Sequence, residues 1–322
     1  MKTPLISFVV PHKGRENLLH ETIKSITLQD FDLSSIEVII VTQNDKLSEE
    51  TLRFREFFPL SVYPRPVTDT ISSLRNYGAA NAKGEYLAFL DADIDLSPNW
   101  TSCVLQELHS NERRALISAI QCNSQSANSI ERIRTALNNI NKDSNVDCLD
   151  GKNLFLKHET FRLAGGFPGQ LQTCEDIYFT NKVRSLGYLY LTSQTTFIHL
   201  GEDKDHAIMF KKEIWRGLSN LNSFSGRKVP LREFPSILIP AGLIPLLIMS
   251  LITLINGLYI PFVITASLMF SPVLAYSMRL YQHSRDRNVG FFAMLRFYMV
   301  YFSARSIGTY KGLYHGLLQR KL

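Results

Sequence analysis

The sequence predicts an α/β domain with a doubly wound sheet, followed by a helical hairpin long enough to cross a membrane. Three observations predict it. Apolar runs alternate with amphipathic stretches over the first 230 residues. Acids crowd the end of one such run in "FLDADID", residues 89–95. From residue 234 to 278 there is no Asp, Glu, Lys, Arg or His.

Taken in order, "LISFVVP" is a near-continuous apolar run, the pattern of a parallel strand covered on both faces. "ENLLHETIKSITLQ" follows as a helix, with Leu18, Leu19, Ile23 and Ile26 at helical spacing. "IEVIIVTQ" is a second buried strand, "SSLRNYGAANAKG" a helix and "EYLAFLDAD" another strand. "SPNWTSCVLQELHS" opens a further helix, with Ser97 as N-cap and Pro98 at its first position. This alternation is that of a doubly wound sheet, whose ligands bind beyond the carboxyl ends of the strands. Residues 121–150, rich in Asn and Ser around "SIERIRTALNN", read as an insertion over the cleft.

With 322 residues, 45% of them hydrophobic, the chain has room for one large domain and an appendage. A net charge of +6 suits nucleic acid, an anionic membrane or a phosphate-bearing substrate, and does not choose among them. Cys103, Cys122, Cys148 and Cys174 lie far apart, without the C-x-x-C spacing of a zinc site or a disulfide framework. The first apolar run is too short for a signal-peptide core and ends at a proline, so the N-terminal part is expected in the cytosol.

At about 20 residues per span, the uncharged stretch holds two transmembrane helices, about 234–255 and 258–278. "LINGLYIP" makes the turn between them, with Pro261 opening the second. Lys211, Lys212, Arg216, Arg227, Lys228 and Arg232 precede the hairpin, and Arg279, Arg285 and Arg287 follow it. Positive flanks on both sides place both ends in the cytoplasm. The alternative is a buried hairpin of a soluble protein. In "GFFAMLRFYMVYFSARSIGTYKG", Arg296 and Arg305 fall near one helical face, with Lys311 beyond them. That pattern suits a basic amphipathic helix lying in the membrane interface. The expected domains are thus 1–230, a hairpin over 231–282 and an interfacial tail over 283–322.

In an extended segment Asp91 and Asp93 point the same way and can face one ligand together. Their oxygens suit Mg2+ or Mn2+, which also bind phosphate. A calcium loop is excluded, because Leu96 and Ser102 stand where it needs Gly and Glu. Asp95 is read as shaping the turn.

The order and spacing of four blocks resemble the family 2 glycosyltransferases, of GT-A fold, over residues 5–205. The blocks are "SFVVPHKGRENLLHETIKSITLQ", "LRNYGAANAKGEYLAFLDAD", "LAGGFPGQLQTCEDIYFTNKVRSLGY" and "FIHLGE". One departure is "HKGR" after Pro11, where family members commonly have Thr-Tyr-Asn-Arg. The resemblance implies that the loop at Pro11 borders a nucleotide and that the segment from Gln43 to Asp45 approaches its base. Arg75 would stabilise the base or the diphosphate, and Asp91 would contact the nucleotide side of the donor. Asp93 would bind a Mn2+ or Mg2+ ion, with His199 as a further ligand. Asp176 would be the general base and Glu175 would bind the acceptor. Acids at that point also suit a helix N-terminus, and both readings hold together.

The resemblance implies a nucleotide-sugar donor, a UDP-sugar before others, with a lipid-linked or cell-envelope saccharide as acceptor. The membrane is an expected partner and nucleic acid is not. The Gln-x-x-Arg-Trp signature of processive synthases is absent, since Trp215 and Arg216 stand in "KKEIWRG". The expected activity is inverting, metal-dependent sugar transfer to a hydroxyl at the inner membrane, with the catalytic domain facing the cytosol. Two alternatives remain: a polyprenyl-phosphate sugar synthase, and a non-catalytic membrane protein that binds saccharides through a degenerate transferase domain.

Overall fold

The computed structural model describes residues 3–171, 173–218, 234–284 and 288–319. Of the basic residues flanking the hairpin, Arg227, Lys228, Arg232, Arg285 and Arg287 lie outside the described residues. Two compact units divide the chain: Met1–Gln125 with Asn138–Glu202, and Ser126–Leu137 with Asp203–Leu322.

The first unit begins with strand β1 (Ile6–His12), helix α1 (Glu16–Thr27), strand β2 (Ile36–Thr42), the single turn α2 (Glu49–Leu52) and strand β3 (Leu60–Pro64). Helix α3 (Ile71–Asn81) and strand β4 (Tyr86–Leu90) follow. These four strands pair in parallel in the order β3-β2-β1-β4. Both faces of β1 are covered, as its unbroken apolar run requires. Ile6, Phe8 and Val10 pack with Leu19, Ile23 and Ile26 of α1, while Val9 packs with Phe89 and Leu87. Each fully buried aliphatic side chain of α1 contributes about 1.5–3 kcal/mol.

Beyond β4 the sheet turns mixed. After β5 (Ile94–Leu96) and α4 (Trp100–His109) come β6 (Arg114–Cys122), α5 (Ser129–Asn138), β7 (Ser144–Val146) and β8 (Asn153–Lys157). Helices α6 (His158–Ala164) and α7 (Glu175–Arg184) and strand β9 (Tyr188–His199) complete the unit. β8 runs antiparallel to β4 and β6, β9 runs parallel to β6, and β5 and β7 run antiparallel to β9. β9 thereby carries His199 to the place where β4 ends, since Ile94 lies opposite His199.

One helix start differs from the expectation. α4 begins at Trp100 after Asn99, so Ser97 is not its cap. The Ser97 hydroxyl is engaged with Thr196 of β9. A cross-strand partner replaces the local one.

The second unit contains α8 (His206–Leu218), α9 (Pro235–Ile255), α10 (Tyr259–His283) and α11 (Phe291–Gln319). α9 and α10 are long and apolar enough to cross a membrane, with only 11% and 17% of their apolar windows buried within the protein. Gly257 in the turn has φ +69°, a conformation glycine adopts without strain. Pro245 has no N–H for the carbonyl of Ala241, and the Tyr310 hydroxyl of α11 donates to that oxygen at 2.7 Å. Ser306 adds a second bond between the two helices, donating to Pro240 O at 2.6 Å. On α10, Ser271 donates to Leu268 O, the carbonyl that Pro272 leaves without a partner. Such side-chain donors are what make proline tolerable in apolar surroundings.

α11 packs Phe297, Tyr298 and Phe302 with Val273 and Leu280 near the end of α10, and bonds α9 near its beginning. It therefore crosses the end of the hairpin where both helices connect to the rest of the chain. α8 lies against α11 so closely that a Cβ on Gly308 would fall 2.3 Å from Ile214 O. Between them Glu213 is fully buried and meets Arg134, Arg216 and Arg305. Burial alone raises its carboxyl, but the guanidiniums of Arg305, Arg134 and Arg216 outweigh it and bring it to about 2.

The two units divide the chain differently from a linear cut at residue 230. Helix α5 belongs to the second unit, where Ile130 and Ile133 pack in one cluster with Met209, Val273 and Phe297. The second unit also claims α8, which a linear cut at residue 230 assigns to the catalytic domain.

Candidate active site

The site lies at the carboxyl end of β4, where the parallel half of the sheet opens. β4 stops at Leu90, so Asp91 and Asp93 stand in the turn before β5. They do not share a partner. Each anchors its own group of charged side chains.

Asp91 belongs to the first group. Arg75 of α3 donates to Asp91 Oδ1 at 2.7 Å, to Glu175 Oε1 at 2.9 Å and to Gly151 O at 3.1 Å. The Arg75 side chain is only 2% exposed. α3 is set by Thr70, whose hydroxyl accepts from Ser73 N, and by the 165–169 loop. There Asn76 bonds both the N–H and the carbonyl of Phe167, and the Phe167 ring lies under the Arg75 guanidinium. A Cβ on Gly151 would come within 2.7 Å of Arg75 Nη2. The residue must be glycine for the carbonyl to reach the guanidinium.

Glu175 and Asp176 open α7. Glu175 is buried and turned to Arg75, while Asp176 is half-buried. Asp176 Oδ1 accepts from Ile177 N, and Oδ2 accepts from Gly151 N at 3.3 Å. Gly151 therefore links the base expected at Asp176 to the Arg75–Asp91 pair. Burial, with Glu175 and Asp150 close by, raises the Asp176 carboxyl to about 7, although Ile177 N–H and Arg75 pull the other way. Burial also raises Asp91, assisted by Asp93 and opposed by Arg75.

Asp93 holds the second group. His199 Nε2 lies 3.3 Å from Asp93 Oδ1, and its Nδ1 lies 3.0 Å from Glu202. Burial lowers the His199 imidazole, but its bonds to Asp93 and Glu202 outweigh this and raise it to about 9. On the other oxygen, Arg15 Nη2 lies 2.9 Å from Asp93 Oδ2. Burial would raise Asp93, yet His199 and Arg15 together hold it below the usual carboxylate range.

The donor chemistry fits a hard divalent cation in part. Asp93 offers a carboxylate oxygen, and His199 Nε2 would join it on an ion only once it gives up the proton that it shares with Asp93. Among the described residues there is no cluster of three or more His, Cys, Asp or Glu side chains arranged to hold a metal.

Pro11 and Asp45 lie at the neighbouring strand ends. Pro11 is buried opposite Val41, and Asp45 is exposed just past β2. The loop between β1 and α1 is tied there through Asn44, which bonds both the N–H and the carbonyl of Gly14. Asn44 N–H is in turn held by Thr42 Oγ1, which also meets His12 Nδ1 at 2.9 Å. The structure thus brings Arg75, Asp91, Glu175 and Asp176 into one cluster and Asp93 and His199 into another. Neither Pro11 nor Asp45 bonds to either cluster. Arg15, Gly151 and Glu202 belong to the site without having been expected there.

A parallel half-sheet ending in paired acids, followed by an antiparallel half that returns a histidine to them, defines a GT-A nucleotide-sugar transferase fold. Residues 7–165 match Glycosyl transferase family 2, and the chain carries a domain of that family. Among curated relatives, the O-antigen biosynthesis protein RfbC of Myxococcus xanthus is 26% identical over 229 residues, which is 61% of this chain and 17% of that protein. The chain spans well under half the length of the curated relatives it matches. Among solved structures, the mannosyltransferase PcManGT of Pyrobaculum calidifontis, in complex with GDP-Man and Mn2+, shares the fold. It superposes with a TM-score of 0.66 at 14% identity, covering 98% of this chain and 88% of that one. S. aureus TarS 1-349 in complex with UDP gives a TM-score of 0.50 at 15% identity, covering 95% and 91%.

Proposed function

We propose that the chain is a membrane-anchored, inverting glycosyltransferase. It moves a sugar from a nucleotide-sugar donor to a hydroxyl of a lipid-linked or cell-envelope saccharide. One observation carries the reading: a half-buried carboxyl raised to about 7, Asp176, joined through Gly151 and Arg75 to the acids that end β4. A base with a value near the operating pH is what abstraction of a hydroxyl proton needs.

In this reading Asp93 and His199 hold a Mn2+ or Mg2+ ion. When bound, the ion neutralises charge on the leaving diphosphate. Pro11 and Asp45 border the nucleotide. Asp176 takes the proton of the acceptor hydroxyl as that oxygen attacks the anomeric carbon from the face opposite the diphosphate, which inverts the centre. Arg75 acts from beneath the donor by fixing Asp91. Glu175, buried against Arg75, positions that guanidinium and the first turn of α7 at the acceptor side.

The name of the RfbC relative supports an envelope saccharide as acceptor. The GDP-Man and UDP complexes of the two structural neighbours support a nucleotide-sugar donor, with UDP the first to test. α9 and α10 support anchoring at the cytoplasmic membrane, with the active site on the cytosolic side. The test is a screen of nucleotide-sugars for Mn2+-dependent hydrolysis by the full chain, repeated with Asp93→Asn. Turnover of one donor that is lost with Asp93→Asn is expected. Absence of metal-dependent turnover with every donor would favour a saccharide-binding protein without activity.

A further inference from the structure

We propose that Arg15 is the resting counter-ion of the metal seat, and that it becomes a ligand of the donor diphosphate when a divalent cation takes its place. The inference rests on the reading of Asp93 as metal-binding. Both oxygens of Asp93 already have a partner: Oδ2 faces the Arg15 guanidinium at 2.9 Å and Oδ1 faces His199 Nε2 at 3.3 Å. A divalent ion entering at Oδ2 cannot share that oxygen with a guanidinium, because the two positive charges repel at contact distance.

The partners of Asp93 differ in freedom. His199 is 13% exposed and fixed on its far side by Glu202, whereas the Arg15 side chain is 60% exposed. Arg15 is therefore the one that leaves. Gly201 closes the flank of the pair, since a Cβ there would fall 2.0 Å from Asp93 Oδ2 and 2.7 Å from Arg15 Nη1. The guanidinium is left to swing outward, away from Gly201. The backbone beside it stays in place, because Gly14 is bonded on both sides to Asn44.

Outward of Asp93 is where the diphosphate of a metal-bound donor lies in the proposed reading. A guanidinium fork matches two phosphate oxygens, and the diphosphate attracts the ion and the arginine together. Arg15 thus opposes metal binding in the free protein and supports it in the nucleotide complex. Metal and nucleotide then bind cooperatively, and by linkage each raises the affinity for the other by the same factor. The ordered exchange keeps Asp93 neutralised at every stage.

The test follows Mn2+ binding by the full chain in detergent, from the loss of the free-ion paramagnetic resonance signal. Wild type, Arg15→Ala and Asp93→Asn are compared without nucleotide, with UDP and with GDP. Without nucleotide, Arg15→Ala should bind Mn2+ more tightly than wild type, by about 5–150-fold, the usual span of a coupling between two sites. With whichever nucleotide binds, that advantage should vanish, and the nucleotide itself should bind Arg15→Ala more weakly. Equal or weaker Mn2+ binding by Arg15→Ala without nucleotide overturns the proposal, as does an advantage that nucleotide leaves unchanged. If Asp93→Asn binds Mn2+ like wild type, the metal seat itself is wrong and the exchange falls with it.

Discussion

Replacing Asp176 by Asn removes a charge at a place where the protein resists holding one, so activity and stability should move in opposite directions. The carboxyl is raised from its ordinary 3.8 to about 7 by burial, Glu175 and Asp150. At about 1.4 kcal/mol for each tenfold, ionising it in the folded protein costs up to about 4 kcal/mol. The sign follows from the folded value exceeding the unfolded one. The folded state holds its proton more tightly, so stability is greatest at low pH and falls as pH rises from about 4 through 7. Asp176→Asn cannot ionise and escapes the loss. The assay is thermal unfolding of both proteins at pH 5.5 and pH 8.5, beside steady-state kinetics. The variant should gain stability relative to wild type at pH 8.5 and about half as much at pH 5.5, where the unfolded carboxyl is already ionised. At about 2–4 °C per kcal/mol in a unit of this size, the gain is several degrees. Its kcat should fall about 10²–10⁴-fold with donor affinity little changed, while wild-type kcat should rise with pH through about 7. A stability difference that does not depend on pH would refute the account of the raised carboxyl. Near wild-type kcat would refute the base and favour a polyprenyl-phosphate acceptor, which arrives without a proton to remove.

Three further outcomes are expected. Arg75→Met should destabilise the first unit by about 3–5 kcal/mol, because it leaves Asp91 and Glu175 without their counter-charge; adding Glu175→Gln should recover part of the loss in denaturant unfolding. Tyr310→Phe should cost about 1 kcal/mol in the native chain and close to nothing in a Pro245→Ala background, where residue 245 regains the N–H that bonds Ala241 O; a double-mutant cycle of thermal stabilities measures the difference. A reporter fused after Leu322 should be active on the cytoplasmic side only, and an external signal would exclude the hairpin.

Much of the fold was legible because it depends on local patterns. The unbroken apolar runs of β1, β2 and β4 require a sheet covered on both faces, and the uncharged run over residues 234–278 forms two long apolar helices. The antiparallel half was harder to read. β8 and β9 are placed by pairing with strands far away in sequence, and no periodicity records that β4 is followed across the sheet by β8. In the site, acids at the end of an apolar run announced Asp91 and Asp93. Their partners did not announce themselves. Arg15 meets Asp93 across 78 positions of sequence, and Gly151 acts through its backbone, which no side-chain pattern encodes. Ser97 was misjudged because a serine ahead of a helix signals a cap only if no distant acceptor claims its hydroxyl.

The placement of α5 has a consequence for how the protein can be made. Its apolar face, Ile130 and Ile133, is covered by Met209 of α8, by α10 and by α11. A ribosome delivers α5 long before those helices exist. During synthesis, the chain between β6 and β7 must remain an open loop with two bare isoleucines until the last helix emerges. A chain cut ahead of the hairpin keeps Met209 of α8 and loses the cover that α10 and α11 give these isoleucines. A shortened chain without the two apolar helices and α11 would therefore keep α5 with its apolar face uncovered, and such a fragment should aggregate unless residues 126–137 are also replaced by a short polar link.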